Sequence, residues 1–369
     1  MKIGIVCPYN LAMPGGVQQH VFEQARELRR RGHSVSLITP KPRGKLLAND
    51  PRMIFLGSSA RFKTPQHTSV DFSISVTTEA IDELLQQEKF DVIHFHEPLV
   101  PILARQMLPR VTCPVVGTFH AAMPETTLGK SIAGSISPFV KSVMKHISVV
   151  TAVSKAATSY IANYVDDEDV YFIPNGVDVS FFEPKTVSNR KGVLYIGRLE
   201  KRKGVKYLLQ AFAELLKSRP HEILTIAGDG PDREKLERLA YELGIEKSVH
   251  FLGFISDQSK KKLLLHTALF VSPALYGESF GIVLIEAMAA GTVVVGGNNP
   301  GYATVLSGKG SIGLVDPENA TLFADRMNLL LQDKQLRSLL EAWAKEEIKK
   351  YSYIEIVNEY EKIYRSLVA

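Results

Sequence analysis

Two consecutive series of short apolar runs and helical periods, punctuated by Gly and Pro, constrain this chain more than any other feature. The first series comprises Ile3 to Cys7, Val17 to Arg31, Ser34 to Thr39, Ile81 to Gln87, Val92 to Phe95 and Val115 to Phe119. The second follows Phe182-Glu183-Pro184 and comprises Gly192 to Ile196, Val205 to Leu216, Ile223 to Ala227, Asp232 to Leu243, Val249 to Leu252, Lys260 to His266, Leu269 to Ser272 and Thr292 to Val295. Such apolar runs alternating with helical periods predict parallel strands buried on both faces. At 369 residues the chain is also too long for one ordinary core. The expectation is an α/β protein with two Rossmann-like, doubly wound domains. Periodicity lapses between Val179 and Asn189, which places the domains at 1–183 and 184–352. A last helical segment, 353–369, carries apolar Ile356, Val357, Tyr360, Ile363 and Tyr364. Open sheets of this class bind ligands at the carboxyl ends of their strands, so two sheets facing across a deep cleft let one domain hold a donor and the other an acceptor.

Charge and cysteine content narrow the partners. The net charge of +5 is spread along the chain rather than gathered in an arm or tail, which argues against nucleic acid. Cys7 and Cys113 sit in or beside apolar runs with no ligand spacing and no disulfide framework, which implies a reducing, cytoplasmic setting. The opening apolar run stops at Pro8, short of a signal-peptide core. The longest apolar stretch, Ile282 to Val295, is interrupted by Glu286 and Gly291 and is shorter than the ~20 residues of a membrane span. Any membrane contact is therefore expected to be peripheral, at the inner face of the cell membrane.

Gly277-Glu278-Ser279-Phe280-Gly281-Ile282-Val283-Leu284-Ile285-Glu286 carries the most chemistry. Glu286 falls about one turn inside an expected helix from Gly281 to Ala290, and Glu278 in the loop before it, so both can reach one polyhydroxylated ligand. The amides from Phe280 to Val283 form a helix N-terminus suited to phosphate. Carboxylates for sugar hydroxyls beside an anion cradle read as a nucleotide-sugar site. Arg198, at the end of the run Gly192 to Ile196, and Lys203, before Val205, are spaced across a loop to meet one diphosphate, although that spacing alone also suits a solvated charged loop. Gly15-Gly16 and Gly228-Asp229-Gly230-Pro231 are strand-to-helix turns where a missing Cβ admits a phosphate or a tight bend, with Pro231 suited to a first helical position. His120 ends the run Val115 to Phe119. His94, His96 and Glu97 are spaced like metal ligands on one strand face, but no third convergent ligand stands nearby and a buried strand ending in polar residues explains them better.

The glutamate block resembles the signature of the retaining glycosyltransferases of GT-B fold, in particular glycosyltransferase family 4. The resemblance extends to Pro14-Gly15-Gly16-Val17, Thr118-Phe119-His120, Ile173-Pro174-Asn175-Gly176-Val177-Asp178, Gly197-Arg198-Leu199 with Lys203-Gly204, and Gly228-Asp229-Gly230-Pro231. It implies that Glu278 holds donor-sugar hydroxyls and Glu286 the ribose, with backbone contacts from Phe280, Gly281 and Ile282. Gly16 would contact the diphosphate, Gly228 and Gly230 would shape the nucleotide pocket, and Arg198 and Lys203 would stabilise the leaving group. His120 would bond a sugar hydroxyl and place partial positive charge near the leaving group. It also implies front-side attack, with the departing phosphate taking the acceptor's proton, no enzyme base, no cofactor and no catalytic metal. The 353–369 helix would cross back to the first domain.

Val6-Cys7-Pro8-Tyr9 to Gly16-Val17-Gln18 is most similar, within that family, to the phosphatidylinositol mannosyltransferases. That similarity implies mannose from GDP-mannose, Tyr9 and Gln18 on the inositol ring, and Arg61 of Gly57-Ser58-Ser59-Ala60-Arg61 on the lipid phosphate. Two departures weigh against this acceptor. Ala121-Ala122-Met123-Pro124-Glu125 replaces a stretch that carries threonine and lysine in that group, and Glu79, Asp82 and Glu83 make acidic a helix that is basic there. Lys141, Lys145 and His146, interleaved with Phe139, Val140, Val143 and Met144, offer either a bilayer-docking segment or a packed helix with solvated lysines. Other readings are a transferase using UDP-glucose or UDP-N-acetylglucosamine with another lipid or a soluble acceptor, and a non-catalytic sugar-nucleotide binding module. A glycoside hydrolase leaves Arg198 and Lys203 unexplained, and a nicotinamide dehydrogenase lacks its glycine fingerprint.

Overall fold

The computed structural model describes residues 1–12, 15–42, 50, 52–63, 69–122, 127–183 and 189–369, with backbone alone for 61–63, 69–75 and 127–135. The chain divides into two compact units, Met1–Gly176 with Tyr353–Ala369, and Val177–Ser352. The second unit thus begins at Val177, not 184, because the short helix Val179–Phe182 packs with helices of that unit and buries Phe182 there.

In the first unit, strands β1 (Lys2–Val6), β2 (Ser34–Lys41), β3 (Met53–Lys63), β4 (Ser69–Ser75), β5 (Val92–His96), β6 (Val115–Phe119), β7 (Val149–Ala152) and β8 (Val170–Phe172) form one sheet ordered β4-β3-β2-β1-β5-β6-β7-β8. All neighbours are parallel except β3 and β4. Helices α1 (Gly16–Arg30), α2 (Thr78–Glu88), α3 (Leu103–Met107) and α4 (Thr127–Met144) connect them. The apolar stripe of α1, Val21, Ala25 and Leu28, packs with Ile3, Ile5 and Leu37 of the central strands. Three polar residues of α1, His20, Gln24 and Glu27, are buried with that stripe.

In the second unit, α5 (Val179–Phe182) leads to β9 (Lys191–Ile196), α6 (Val205–Ser218), β10 (Leu224–Ala227), α7 (Arg233–Glu242), β11 (Val249–Gly253), α8 (Asp257–His266), β12 (Thr267–Ser272), α9 (Ile282–Ala289), β13 (Val293–Gly297), α10 (Pro300–Val305), β14 (Leu314–Val315), α11 (Ala320–Gln332) and α12 (Lys334–Glu347). Its sheet, ordered β11-β10-β9-β12-β13-β14, is wholly parallel. Its core joins Tyr195 and Val193 to Leu208 and Phe212 of α6 and Phe323 and Met327 of α11. The last helix, α13 (Tyr353–Val368), packs on α1 and β5 of the first unit and buries Ile356, Val357, Tyr360, Ile363 and Tyr364. Each sheet therefore has the doubly wound architecture whose strand ends form ligand sites.

Candidate active site

The second unit gathers its charged residues at the carboxyl ends of β9 and β12. A short 3-10 turn, Lys201–Lys203, follows β9 and ends at Gly204, whose φ of +69° and whose approach to Pro273 O, 2.1 Å from where a Cβ would stand, exclude a side chain. That turn aims Arg202 and Lys203 at one carboxylate oxygen: Glu278 Oε1 accepts from Arg202 Nη1 at 2.7 Å and from Lys203 Nζ at 2.7 Å. Arg202 Nη2 also pairs with buried Glu200 at 3.0 Å. Burial lowers the tendency of Arg202 to stay charged, but Glu278 and Glu200 more than offset this and raise its pKa. Beside Glu278 begins α9, with Gly281 at φ +109° packed against the Tyr302 ring, and the amides of Ile282 and Val283 have no intrahelical acceptor.

Glu286, one turn into α9, is 2% exposed and accepts from Lys260 Nζ at 2.5 Å. Burial raises its pKa, and Lys260 opposes that shift. Lys260, near the start of α8, also pairs with Asp257 at 3.2 Å. Phe280 is buried edge-to-face on Tyr351, with ring centroids 5.6 Å apart, so only its backbone can meet a ligand. Arg198 is exposed in the loop after β9, its carbonyl accepting from the Tyr195 hydroxyl at 2.8 Å. Burial, with the nearby Glu278 charge adding to it, raises the pKa of Tyr195. Lys203, Glu278 and the start of α9 are thus brought together, Glu286 has its own cation, and Arg198 projects from the adjoining loop. The glycines at 228 and 230 have another use than open approach. A Cβ at Gly228 would stand 1.8 Å from Gly197 O, and one at Gly230 2.3 Å from Leu199 O, so both let the two loops bond back to back. Leu199 N donates to Asp229 O, and Asp232 N to Leu199 O. Helix α7 begins at Arg233, so Pro231 does not occupy the first helical position.

In the first unit, strand alternation puts His94 and His96 of β5, Thr118 of β6 and His120 just beyond it on one face, under α1 and α13. His96 Nδ1 and His120 Nε2 are 2.9 Å apart. Every ring nitrogen of His94 and His96 has a partner among Gln24, Tyr364, Thr118 and His120. Among the described residues no group of three or more His, Cys, Asp or Glu is placed to hold a metal ion. Burial pushes His120 down to about 4, with Asn175 beside it opposing the shift. At that value the His120 ring is neutral near pH 7, and any partial positive charge it offers is that of a ring N–H. Glu97, at φ +51°, bonds the His120 amide at 2.7 Å, and burial pushes its carboxyl up to about 7. Burial, with the nearby Glu97 carboxyl adding to it, raises the Tyr9 phenol. Gly16 is the exposed first residue of α1. Gln18 folds back over Gly15, its Oε1 2.2 Å from where a Cβ would stand. Arg61 lies on β3, its side chain outside the described residues, as are Pro14, Met123, Pro124, Glu125 and Pro184.

The segment of Lys141, Lys145 and His146 takes the packed-helix alternative. Val140 and Val143 are buried in the core and Phe139 packs on it, leaving the basic residues exposed. No helix among the described residues is long and apolar enough to cross a membrane. Arg202, Lys260, Gln24 and His20 were not singled out by sequence. For the last two a signal existed: polar residues at the apolar-stripe positions of α1.

Comparison with known proteins matches the family model "Glycosyltransferase Family 4" to residues 14–181 and "Glycosyl transferases group 1" to residues 177–349. The phosphatidyl-myo-inositol mannosyltransferase of Mycolicibacterium smegmatis is 33% identical, covering 100% of this chain and 94% of that protein. Among solved structures, sucrose-phosphate synthase from Thermosynechococcus elongatus superposes with a TM-score of 0.79 at 20% identity, covering 99% of this chain and 98% of that one. Anabaena HepE in complex with UDP-glucose gives 0.78 at 19% identity, with complete coverage of both chains.

Proposed function

The chain belongs to glycosyltransferase family 4 and has the GT-B fold, and from that premise we propose that it is a retaining mannosyltransferase that moves mannose from GDP-mannose to the head group of a phosphatidylinositol-type lipid. The observation that carries the reading is the Glu278 carboxylate, held by Arg202 and Lys203 where α9 begins. Glu278 has a second oxygen to offer a sugar hydroxyl, Lys203 and Arg198 meet the diphosphate, and Glu286 takes the ribose. The bond from the anomeric carbon to the β-phosphate oxygen breaks, the acceptor oxygen bonds to that carbon from the same face, and its proton passes to the leaving diphosphate. Fixed cations do the work of charge stabilisation, so we propose that no metal is needed. His120 accepts or shares a hydrogen bond with the sugar as a neutral ring, and Tyr9, Gln18 and Arg61 serve the acceptor. Similarity along the whole chain to a phosphatidyl-myo-inositol mannosyltransferase supports mannose as the sugar moved and phosphatidylinositol as its acceptor.

One observation favours a second acceptor. Glu79, Asp82 and Glu83 form an exposed acidic face on α2, which anionic lipid repels, and this suits transfer to a soluble polyol phosphate or another lipid from GDP-mannose, UDP-glucose or UDP-N-acetylglucosamine. The test incubates the protein, with and without EDTA, with each nucleotide sugar and either phosphatidylinositol vesicles or soluble inositol phosphate. GDP release with hexose gained by the lipid, unaffected by EDTA, is expected. Release of UDP, or gain on the soluble acceptor alone, moves the assignment to the second reading. Binding without turnover on any acceptor makes the chain a binding module.

A further inference from the structure

Behind His120 a buried chain of hydrogen bonds runs to a main-chain carbonyl, and that carbonyl sets its direction. Gly117 O can only accept, so the Thr151 hydroxyl donates to it at 3.3 Å. Thr151 Oγ1 then accepts from the Thr118 hydroxyl at 2.5 Å, and Thr118 Oγ1 accepts from His94 Nε2–H at 2.5 Å. The Tyr360 hydroxyl adds a second donor to Thr118 at 3.3 Å. His94 keeps a lone pair on Nδ1, which the Tyr364 hydroxyl meets at 2.6 Å and the Gln24 amide nitrogen at 3.1 Å. That nitrogen also donates to the Tyr364 oxygen at 3.0 Å, so Gln24 turns its Oε1 to His96 Nε2 at 2.9 Å. An amide oxygen accepts only. His96 must therefore carry its proton on Nε2, and its bare Nδ1 receives Nε2–H of His120 at 2.9 Å.

We infer that Gln24 is a positioning residue: its amide fixes the tautomer of His96 and through it holds the His120 proton on Nε2, so that His120 offers Nδ1 to substrate as a hydrogen-bond acceptor. The inference rests on the reading of His120 given above. Gln24, His94, His96, Thr118 and Thr151 are fully buried, so water does not compete for any link. Asn175 lies beside His120 and its side chain hydrogen-bonds the ring. A bare Nδ1 selects a ligand that brings a hydroxyl donor, as a sugar does. A cationic or Nδ1-protonated histidine would instead favour an anionic group.

Ring nitrogen–proton correlation spectra of histidine-labelled full-length protein read the tautomer without any turnover. The wild type is expected to show His120 protonated on Nε2 and bare on Nδ1. Gln24→Leu keeps the volume and removes all three of its side-chain bonds; His96 and His120 should become tautomer mixtures, and kcat should fall about tenfold with a smaller change in KM. Thr151→Val, nearly isosteric, cuts the chain at its anchor and should also mix the His120 tautomers, which keeps the test available if Gln24→Leu does not fold. A wild-type proton on Nδ1, or an unchanged His120 tautomer in folded variants, overturns the inference. Normal turnover by His120→Ala instead defeats the substrate role of His120, and the spectra still decide what Gln24 does.

Discussion

A carboxylate that binds a neutral sugar must be held still, and Glu278 is held by giving one oxygen to Arg202 and Lys203. Glu278→Gln keeps the shape and removes the charge that orients both cations. Loss of one preorganised charged group costs about 3 kcal/mol of barrier, so kcat/KM should fall about 100-fold, with little change in the urea midpoint. Near-normal turnover would mean that the site is elsewhere. Arg202→Met should behave differently, because Arg202 also neutralises Glu200, which is 3% exposed. Breaking a buried pair leaves a charge without compensation, so stability should fall by about 3 kcal/mol together with activity. Paired urea and kinetic measurements on the two variants separate the roles. The sequence shows Lys203, Glu278 and Glu286 because glycines and an apolar helix flank them. It hides Arg202 and Lys260 because each lies in a run of like charges, Lys201-Arg202-Lys203 and Lys260-Lys261-Lys262. In a tight turn or a helix successive side chains point about 100–120° apart, and only packing decides which turns inward.

Elements place these groups through backbone contacts that no side-chain pattern reports. Gly301, in the first turn of α10, lies so close to the Glu278 loop that a Cβ would stand 2.1 Å from Glu278 O. Its φ is ordinary, so the requirement is space. Gly301→Ala should push α10 off the loop, costing about 1–3 kcal/mol and displacing Glu278, so that stability in urea and kcat fall together. An unchanged kcat would show that the loop holds Glu278 without α10. Most central elements were legible because burial on both faces leaves an unbroken apolar run. The run Ile3 to Cys7 corresponds to β1 at Lys2–Val6, Val17 to Arg31 to α1 at Gly16–Arg30, and Val205 to Leu216 to α6 at Val205–Ser218. The antiparallel β3–β4 pair was not legible. Gly57-Ser58-Ser59-Ala60 interrupts its apolar run, and its pairing depends on a sheet edge rather than on local pattern. The polar chain of Gln24, His94, Thr118 and Tyr364 was equally hidden, since it draws on α1, β5, β6 and α13, up to 340 positions apart.

At the scale of the molecule, the two units differ in how they answer to acid. The first buries His20, His94, His96 and His120, all pushed down by burial, His94 to about 3 and His120 to about 4. An unfolded histidine titrates near about 6.5, so below that value the unfolded chain takes up protons that the folded unit refuses. Each such histidine then removes about 1.4 kcal/mol per pH unit, fully present as stability above about pH 6.5 and lost as pH falls. Glu97 acts with the opposite sign. Its folded value near 7 lies above the unfolded carboxyl, so its contribution declines as pH rises, and it offsets one histidine of the four. Glu361, held at about 2 chiefly against burial by Arg365, Arg31 and His33, changes only at lower pH. The second unit has no such cluster among its described residues. Its His221, His250 and His266 are exposed, and buried Glu286 and half-buried Glu341 have raised values, whose stabilising effect grows as pH falls. The single tryptophan, Trp343, is on α12 against Gly310 and so reports the second unit alone. Between about pH 7 and about pH 5 the first urea transition seen by far-ultraviolet circular dichroism should move to lower urea, while the Trp343 fluorescence midpoint holds or rises. Parallel loss of both signals would show that the buried histidines do not govern acid stability; replacing His20, whose ring nitrogens have no partner among the described residues, by Phe should flatten the first transition's pH slope by about one proton if they do.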